Sequence, residues 1–399
     1  MSSDPTKPTY VLVLQGGGAL GAYHIGAYQA LAEHGLLPDW VCGISIGAIN
    51  AAIIAGNPPE RRLERLEALW DFISWPALFA PGGGETLHAL YNTASYAEAV
   101  MFGQPNFFLP RPINPLFAAP GRAATSFYDT APLHSTLLRF ADFAVVRERT
   151  IRLSLGATDI ATGDLRFFDN ERDVIGPEHV MASSALPPGF PPVEIDGRSY
   201  WDGGCVSNTP LEAVIRHPPA GHAVVFMIDL WSAAGKPPQR MNEVLWRQAQ
   251  IQYASRTAAH IEAVAAKVKL DCALRRPNPT AGESDRAVPD DAALLAGALD
   301  IVHIVYHPGP DQIPSSGAEF SRFSLRERRR AGHRDMTQAL AASPWLAPPA
   351  PSHLGVRVHR VAADGVTTDL AAGLRPAPPE APSPGAEAGA PPPKKRKRA

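Results

Sequence analysis

Three short stretches of this 399-residue chain carry residue types suited to acyl-transfer chemistry. Gly43-Ile44-Ser45-Ile46-Gly47 is a G-x-S-x-G motif. The flanking Gly43 and Gly47 permit a turn too sharp for a Cβ. That turn lifts a serine hydroxyl above a sheet edge at a helix N-terminus, where the helix dipole favours negative charge. Gly16-Gly17-Gly18-Ala19-Leu20-Gly21 can aim successive backbone N–H groups at one point, so it can hold a phosphate or the oxyanion of an acyl-transfer intermediate. Its spacing also fits the dinucleotide fingerprint. The acidic residue of that motif should follow the second strand, however, whereas Asp39 precedes it. A nucleophilic serine needs a base, and Asp202, in Tyr200-Trp201-Asp202-Gly203-Gly204, is the best candidate. Burial near a hydroxyl raises a carboxylate pKa and lets it accept the proton directly.

The elements around these residues predict an α/β fold. Tyr10 to Gln15 reads as a buried parallel strand, followed by the glycine run and an alanine-rich helix from about Ala22 to His34, capped by Gly35. Trp40 to Gly43 is a second strand, leading through Ser45 into an apolar helix ending near Ala55. Strand, tight turn and helix, repeated twice, argue for a parallel sheet wrapped by helices. Pro59 to Ser74 follows as an amphipathic helix. Further strands are expected at Ile151–Thr158, Leu165–Phe168, His222–Trp231 and Ile301–Tyr306, and helices at Glu178–Ala185, Asn242–Val268 and Phe323–Leu340. From Trp75 to Phe127 the pattern breaks down: a Gly82-Gly83-Gly84 run and the dense prolines of 105–115 forbid a regular helix there. This stretch is expected to be an insertion, either a packed surface loop or a lid and acyl-chain wall over the site. Residues 275–291 read as a linker, and 375–399 as a disordered Pro/Ala-rich tail with a basic end.

Taken together and in order, the glycine-rich loop, the G-x-S-x-G elbow and the late Asp-Gly-Gly resemble the patatin-like phospholipase family. Ala157-Thr158-Asp159-Ile160-Ala161-Thr162-Gly163 and the segment from Ala182 to Val193 are also similar. The resemblance runs from about Val11 to Leu211. It implies a three-layer sandwich with a mainly parallel central sheet, and a catalytic domain over 10–214. Residues 215–374 would then supply the remaining core strands and a helical C-terminal extension. It also implies a Ser–Asp dyad without histidine, acting on acyl esters of lipids. Carried over, Ser45 is the nucleophile, Asp202 the proton acceptor, and the amides of Gly16, Gly17 and Gly18 the oxyanion hole, with Gly21, Gly43, Gly47, Gly203 and Gly204 as motif glycines. Many members carry Arg or Lys where this chain has Leu20, so a phospholipid head-group preference is not implied.

Other readings are weaker. A Ser–Asp–His enzyme would need a late histidine such as His303 or His307, which read as ordinary strand-end residues; His24 reads as a helix-packing residue. A catalytically silent scaffold of the same fold would not need both Ser45 and Asp202. Cys42 and Cys205 read as small buried residues beside the turns. Hydrophobic residues are 45% and charged residues 19%, enough for a sizeable core. The net charge is −2, and five positive charges sit in the last six residues, so the body is acidic and a nucleic-acid partner is disfavoured. Three cysteines form no disulfide framework, no apolar run is long enough to span a membrane, and neither H-E-x-x-H nor C-x-x-C is present. The expectation is a cytoplasmic enzyme without cofactor or metal, peripheral to membranes at most. Arg322, Arg326, Arg328, Arg329, Arg330 and Arg334, on one expected helix, read as a solvated face; contact with an anionic surface would run through them or through Lys394-Lys395-Arg396-Lys397-Arg398.

Overall fold

A computed structural model describes residues 7–75, 85–219, 221–254, 257, 259–263, 299–308, 316–346, 356–362 and 365–370. The expected linker at 275–291, Cys272 and the tail from 375 lie outside the described residues. The strands are β1 (Thr9–Leu14), β2 (Trp40–Gly43), β3 (Leu109–Pro110), β4 (Tyr128–Asp129), β5 (Arg152–Asp159), β6 (Leu165–Asp169), β7 (Val193–Ile195), β8 (Arg198–Asp202), β9 (Ala223–Asp229), β10 (Leu299–Val305), β11 (Val356–Ala362) and β12 (Gly365–Leu370). All but β3 and β4 join one sheet, in the order β12-β11-β10-β9-β1-β2-β5-β8-β7, with β6 also on β5. From β11 to β5 every neighbouring pair is parallel.

The sheet is covered on both faces. Alternate residues of β1 point opposite ways: Tyr10, Leu12 and Leu14 join a core with the helices Ala22–Glu33, Ile46–Ala55 and Arg322–Ala342, while Val11 and Val13 join a second core with helix Leu211–Arg216. The result is a three-layer sandwich. Strands β10, β11 and β12 extend the sheet beyond β9, so chain after residue 215 builds the same layer. Among the described residues, no helix is long and apolar enough to cross a membrane.

Pairing register explains how two distant residues meet. Gly43, at the end of β2, pairs with Leu155, and Asp202, at the end of β8, pairs with Ala157. A strand has two edges, and β6 takes residues 154–158 along one of them. Strands β2 and β8 therefore share the other edge and approach from opposite directions. Their ends stop two β5 residues apart, roughly 7 Å. The Ser45 turn and Asp202 are brought together there.

Two expectations need correction. The Trp75–Phe127 stretch contains an 18-residue helix, Glu85–Phe102. The nearest prolines are Pro81 before it and Pro105 after it, so nothing in 85–102 opposes one. The Arg-rich helix is not a uniformly solvated face. Its buried residues Ser324, Arg328, Gly332, Met336 and Leu340 form an i, i+4 stripe against helix Ala22–Glu33. A Cβ on Gly26 would overlap the Arg329 carbonyl, and one on Gly332 the Tyr23 carbonyl; glycine at both positions lets the backbones touch. Arg328 is buried, Arg329 pairs with Glu67 and Gln29, and Arg322 bonds Ser74 and the Asp71 carbonyl, leaving Arg326, Arg330 and Arg334 exposed.

Candidate active site

Ser45 sits at the N-cap of helix Ile46–Ala55 with φ 57°, a left-handed conformation that costs a non-glycine residue energy and recurs at nucleophile turns. The turn is closed by the glycines on either side: a Cβ on Gly43 would overlap the Gly47 carbonyl, and one on Gly47 the Leu14 carbonyl. Ser183 and Ser184 staple it from outside. The Ser45 N–H donates to the Ser183 carbonyl at 3.0 Å and Oγ at 3.2 Å, and the Ser184 hydroxyl donates to the Ser45 carbonyl at 3.2 Å. These backbone bonds hold the strained residue in place.

Asp202 is 1% exposed. Its Oδ1 accepts from the Gly204 N–H at 2.7 Å, its N–H donates to Ala185, and its carbonyl accepts from Thr158 Oγ1 at 2.9 Å. Burial pushes its carboxyl up to about 7, against the opposing pull of Ser45 and the Gly204 amide. Ser45 thus acts on the carboxyl, yet Oδ2 has no fully formed hydrogen bond.

The glycine loop leaves β1 beside Ser45; a Cβ on Gly16 would lie 3.0 Å from that of Ser45. The Gly16 N–H donates to the Asn208 carbonyl at 3.1 Å, so in this structure it is already engaged. The Gly16 carbonyl accepts from Asn208 Nδ2 at 2.8 Å and Trp231 Nε1 at 2.9 Å. In a trans peptide, C=O and the following N–H point oppositely. Pinning the Gly16 carbonyl therefore aims the Gly17 N–H away from Asn208 and Trp231. Asn208 and Trp231 were not singled out from sequence; no feature of a buried Asn or Trp announces that it will hold a distant carbonyl.

Gly17, Gly18, Ser45, Asp202 and Gly204 line one cavity of about 460 Å³. Its walls are aromatic: Phe107, Phe108, Tyr128, Phe190 and Phe320 on one side, with Phe108 and Phe190 ring centroids 5.1 Å apart, and the contacting pair Trp231 and Tyr253 on another. Tyr96, Ala99, Val100, Phe107 and Phe108 come from the 75–127 stretch, which thus supplies cavity wall. Gly317, Ala318 and Phe320 come from the C-terminal region, for which the sequence implied no chemistry.

No histidine lines this cavity among the described residues. His303 is held by Asp229, Nε2 to Oδ2 2.9 Å, and His307 is an exposed residue; neither reaches the cavity. His24 is buried beside Asn50, and burial lowers its pKa to about 3. Cys42 is buried as expected, but Cys205 is exposed, because the short turn after Asp202 directs it outward. No three His, Cys, Asp or Glu side chains gather to hold a metal among the described residues.

Comparison with known proteins places this architecture. A family model described as patatin-like phospholipase matches residues 12–215, about half of the chain, and a second, described as patatin phospholipase, matches 251–352. The chain belongs to the patatin-like phospholipase family. Among similar proteins, a patatin-like phospholipase domain-containing protein of Caenorhabditis elegans is 28% identical over 51% of this chain and 12% of its own length. A lysophospholipase of Coccidioides immitis is 25% identical over 80% of this chain and 18% of its own. A triacylglycerol lipase of Schizosaccharomyces pombe is 52% identical over 14% of this chain and 12% of its own. The chain therefore spans less than a fifth of these relatives' lengths. Among solved structures, human GIVD cytosolic phospholipase A2 aligns with 13% identity and a TM-score of 0.42, over 86% of this chain and 60% of that one.

Proposed function

We propose that the protein is a serine acyl hydrolase that cleaves acyl esters of lipids through a Ser45–Asp202 dyad. One observation carries the reading: a strained, helix-capping serine and a fully buried aspartate near pKa 7 face the same aromatic cavity, which no histidine lines among the described residues. An aspartate with that pKa does the work usually left to imidazole. The aromatic walls suit an alkyl chain, each buried methylene contributing about 0.8 kcal/mol.

In the mechanism, Ser45 Oγ attacks the ester carbonyl while its proton passes to Asp202. The carbonyl oxygen becomes an oxyanion held by the amides of Gly17 and Gly18. The tetrahedral intermediate collapses, Asp202 returns the proton to the leaving alkoxide, and an acyl-Ser45 ester remains. Water, deprotonated by Asp202, attacks that ester and releases the fatty acid and free Ser45. Each amide contributes about 3–4 kcal/mol if well aimed.

A fluorophosphonate probe tests this directly, since it traps a serine activated in this way. Labelling should occur in the wild type and vanish in Ser45→Ala. Unlabelled wild type would favour a catalytically silent member of the fold. The aim of the Gly17 amide gives a second expectation. Asn208→Ala removes one of two donors on the Gly16 carbonyl, and kcat on a soluble ester should fall about tenfold with KM nearly unchanged. An unchanged kcat would show that Trp231 alone suffices to hold that peptide.

A further inference from the structure

Among the described residues, the two most exposed large apolar side chains, Phe117 and Leu116, lie in the stretch that also supplies wall to the cavity of the proposed active site. Phe117 is 84% exposed and Leu116 77%, with Met101, Phe102, Leu109 and Ile113 also exposed. All lie between the end of helix Glu85–Phe102 and β4, the stretch that also forms cavity wall through Val100, Phe107 and Phe108. They are physically joined to that wall. The β3–β4 ribbon pairs Leu109 with Asp129, the Arg111 N–H donates to the Phe127 carbonyl at 3.0 Å, and the hydroxyl of the cavity residue Tyr128 donates to the Val100 carbonyl at 2.9 Å. The tip is a shaped turn. Asn114 Oδ1 accepts from the Leu116 N–H at 3.0 Å and the Asn114 carbonyl from the Phe117 N–H at 3.0 Å, which presents Leu116 and Phe117 outward. Isolated exposed apolar residues need no explanation, but this many on one structural unit do.

Charge selects the occupant. From Ala99 to Tyr128 the sequence contains Arg111 and Arg122 and neither Asp nor Glu, although Asp and Glu number 39 in the chain. An apolar segment that carries arginine and no acid of its own, with Glu98 and Asp129 only at its ends, is suited to the headgroup region of a bilayer, where acids are repelled and apolar tips enter the acyl boundary. We propose that the 100–117 surface is a lipid-surface docking face, inserting Leu116 and Phe117 so that an acyl ester passes from the membrane into the adjoining cavity. This rests on the acyl-hydrolase reading for the purpose of docking, but not for docking itself.

The test separates the two. Wild type, Ser45→Ala and Leu116→Ser/Phe117→Ser are compared in co-sedimentation with phosphatidylcholine vesicles, with and without phosphatidylglycerol, and in hydrolysis of p-nitrophenyl butyrate, a soluble ester. Wild type and Ser45→Ala should partition equally. The double variant should partition about tenfold less while retaining soluble-ester hydrolysis, because neither residue lines the cavity. A second variant, Phe117→Trp, should show blue-shifted emission when vesicles are added. Wild-type-like partition of the double variant, or an unshifted tryptophan, overturns the proposal. So does concentration-dependent self-association that replaces vesicle binding and is lost in the double variant, which would assign the face to a second copy. Vesicle binding by a wild type that hydrolyses no soluble ester leaves the docking face standing and sinks the acyl-hydrolase reading instead.

Discussion

Asp202→Asn should lower kcat on any ester by about a thousandfold or more, the size of effect seen when a general base is lost. Asparagine keeps the shape and can accept from the Gly204 N–H, but it cannot take the Ser45 proton. The same change should stabilise the fold above neutral pH. Asp202 has its pKa raised from 3.8 to about 7 by burial. A raised carboxyl binds its proton more tightly folded than unfolded. Its favourable contribution is therefore fully present below pH 3.8 and is lost as pH rises through about 7. At alkaline pH, wild type bears the cost of a buried carboxylate, on the order of 4 kcal/mol, and the neutral Asn escapes it. Urea denaturation of both forms across pH checks this: the stability difference should grow in favour of Asn between pH 4 and 8. Wild-type activity should move oppositely, rising toward a plateau with a midpoint near 7, since only the carboxylate accepts a proton. A gain in stability that appears at acid pH instead would contradict the burial argument, and an activity midpoint near 4 would mean that Asp202 is solvated during catalysis.

How much of this was legible depended on whether the signal was local. The glycine loop, Ser45 and Asp202 each lie in a few consecutive residues whose types dictate a turn, so motif reading finds them. That Asp202 lines the same cavity as Ser45 depends on the β7–β8 hairpin, whose strands were not among those expected. Its turn, Asp196-Gly197, has φ 51° and 73°, the pair of positive angles for which Asp-Gly is the usual choice, and was readable in principle. Helix Glu85–Phe102 was obscured by the glycines and prolines on either side of it. By contrast, nothing local shows that the Gly16 amide is spent on Asn208, 192 residues away. Such contacts exist only after the sheet has placed β1 beside the chain that follows β8. The arginine run misled for a related reason. Composition says solvated face, but the buried i, i+4 stripe on that helix passes through Arg328, and a residue on a stripe with Gly332, Met336 and Leu340 is carried inward whatever its charge.

Arg328 links the C-terminal region to the glycine loop. It is 1% exposed in its side chain and pairs with the wholly buried Glu319 at 3.1 Å. Its Nη1 also donates to the Ala19 carbonyl at 3.2 Å and the Glu319 carbonyl at 2.8 Å, and Nη2 to the Ser316 carbonyl at 3.3 Å. One side chain thus ties the 316–318 turn, which lines the cavity, to the glycine loop. Arg328→Met should destabilise the protein by about 3–5 kcal/mol, mainly because Glu319 is left buried and unpaired. Removing that charge as well, in Arg328→Met/Glu319→Leu, should recover most of the loss in a urea titration, since a buried ion pair stabilises little over an apolar pair of similar volume. The kinetics should not recover with it. The Ala19 carbonyl has lost its side-chain donor in both variants and keeps only the Ala22 N–H, so the loop bearing Gly17 and Gly18 is held less firmly, and kcat should stay low in the double variant at temperatures where it is fully folded. Should the double variant regain both stability and full kcat, Arg328 would be a packing element only. Should it regain neither, the stability attributed to the unpaired Glu319 would have to lie instead in the carbonyls that Arg328 holds.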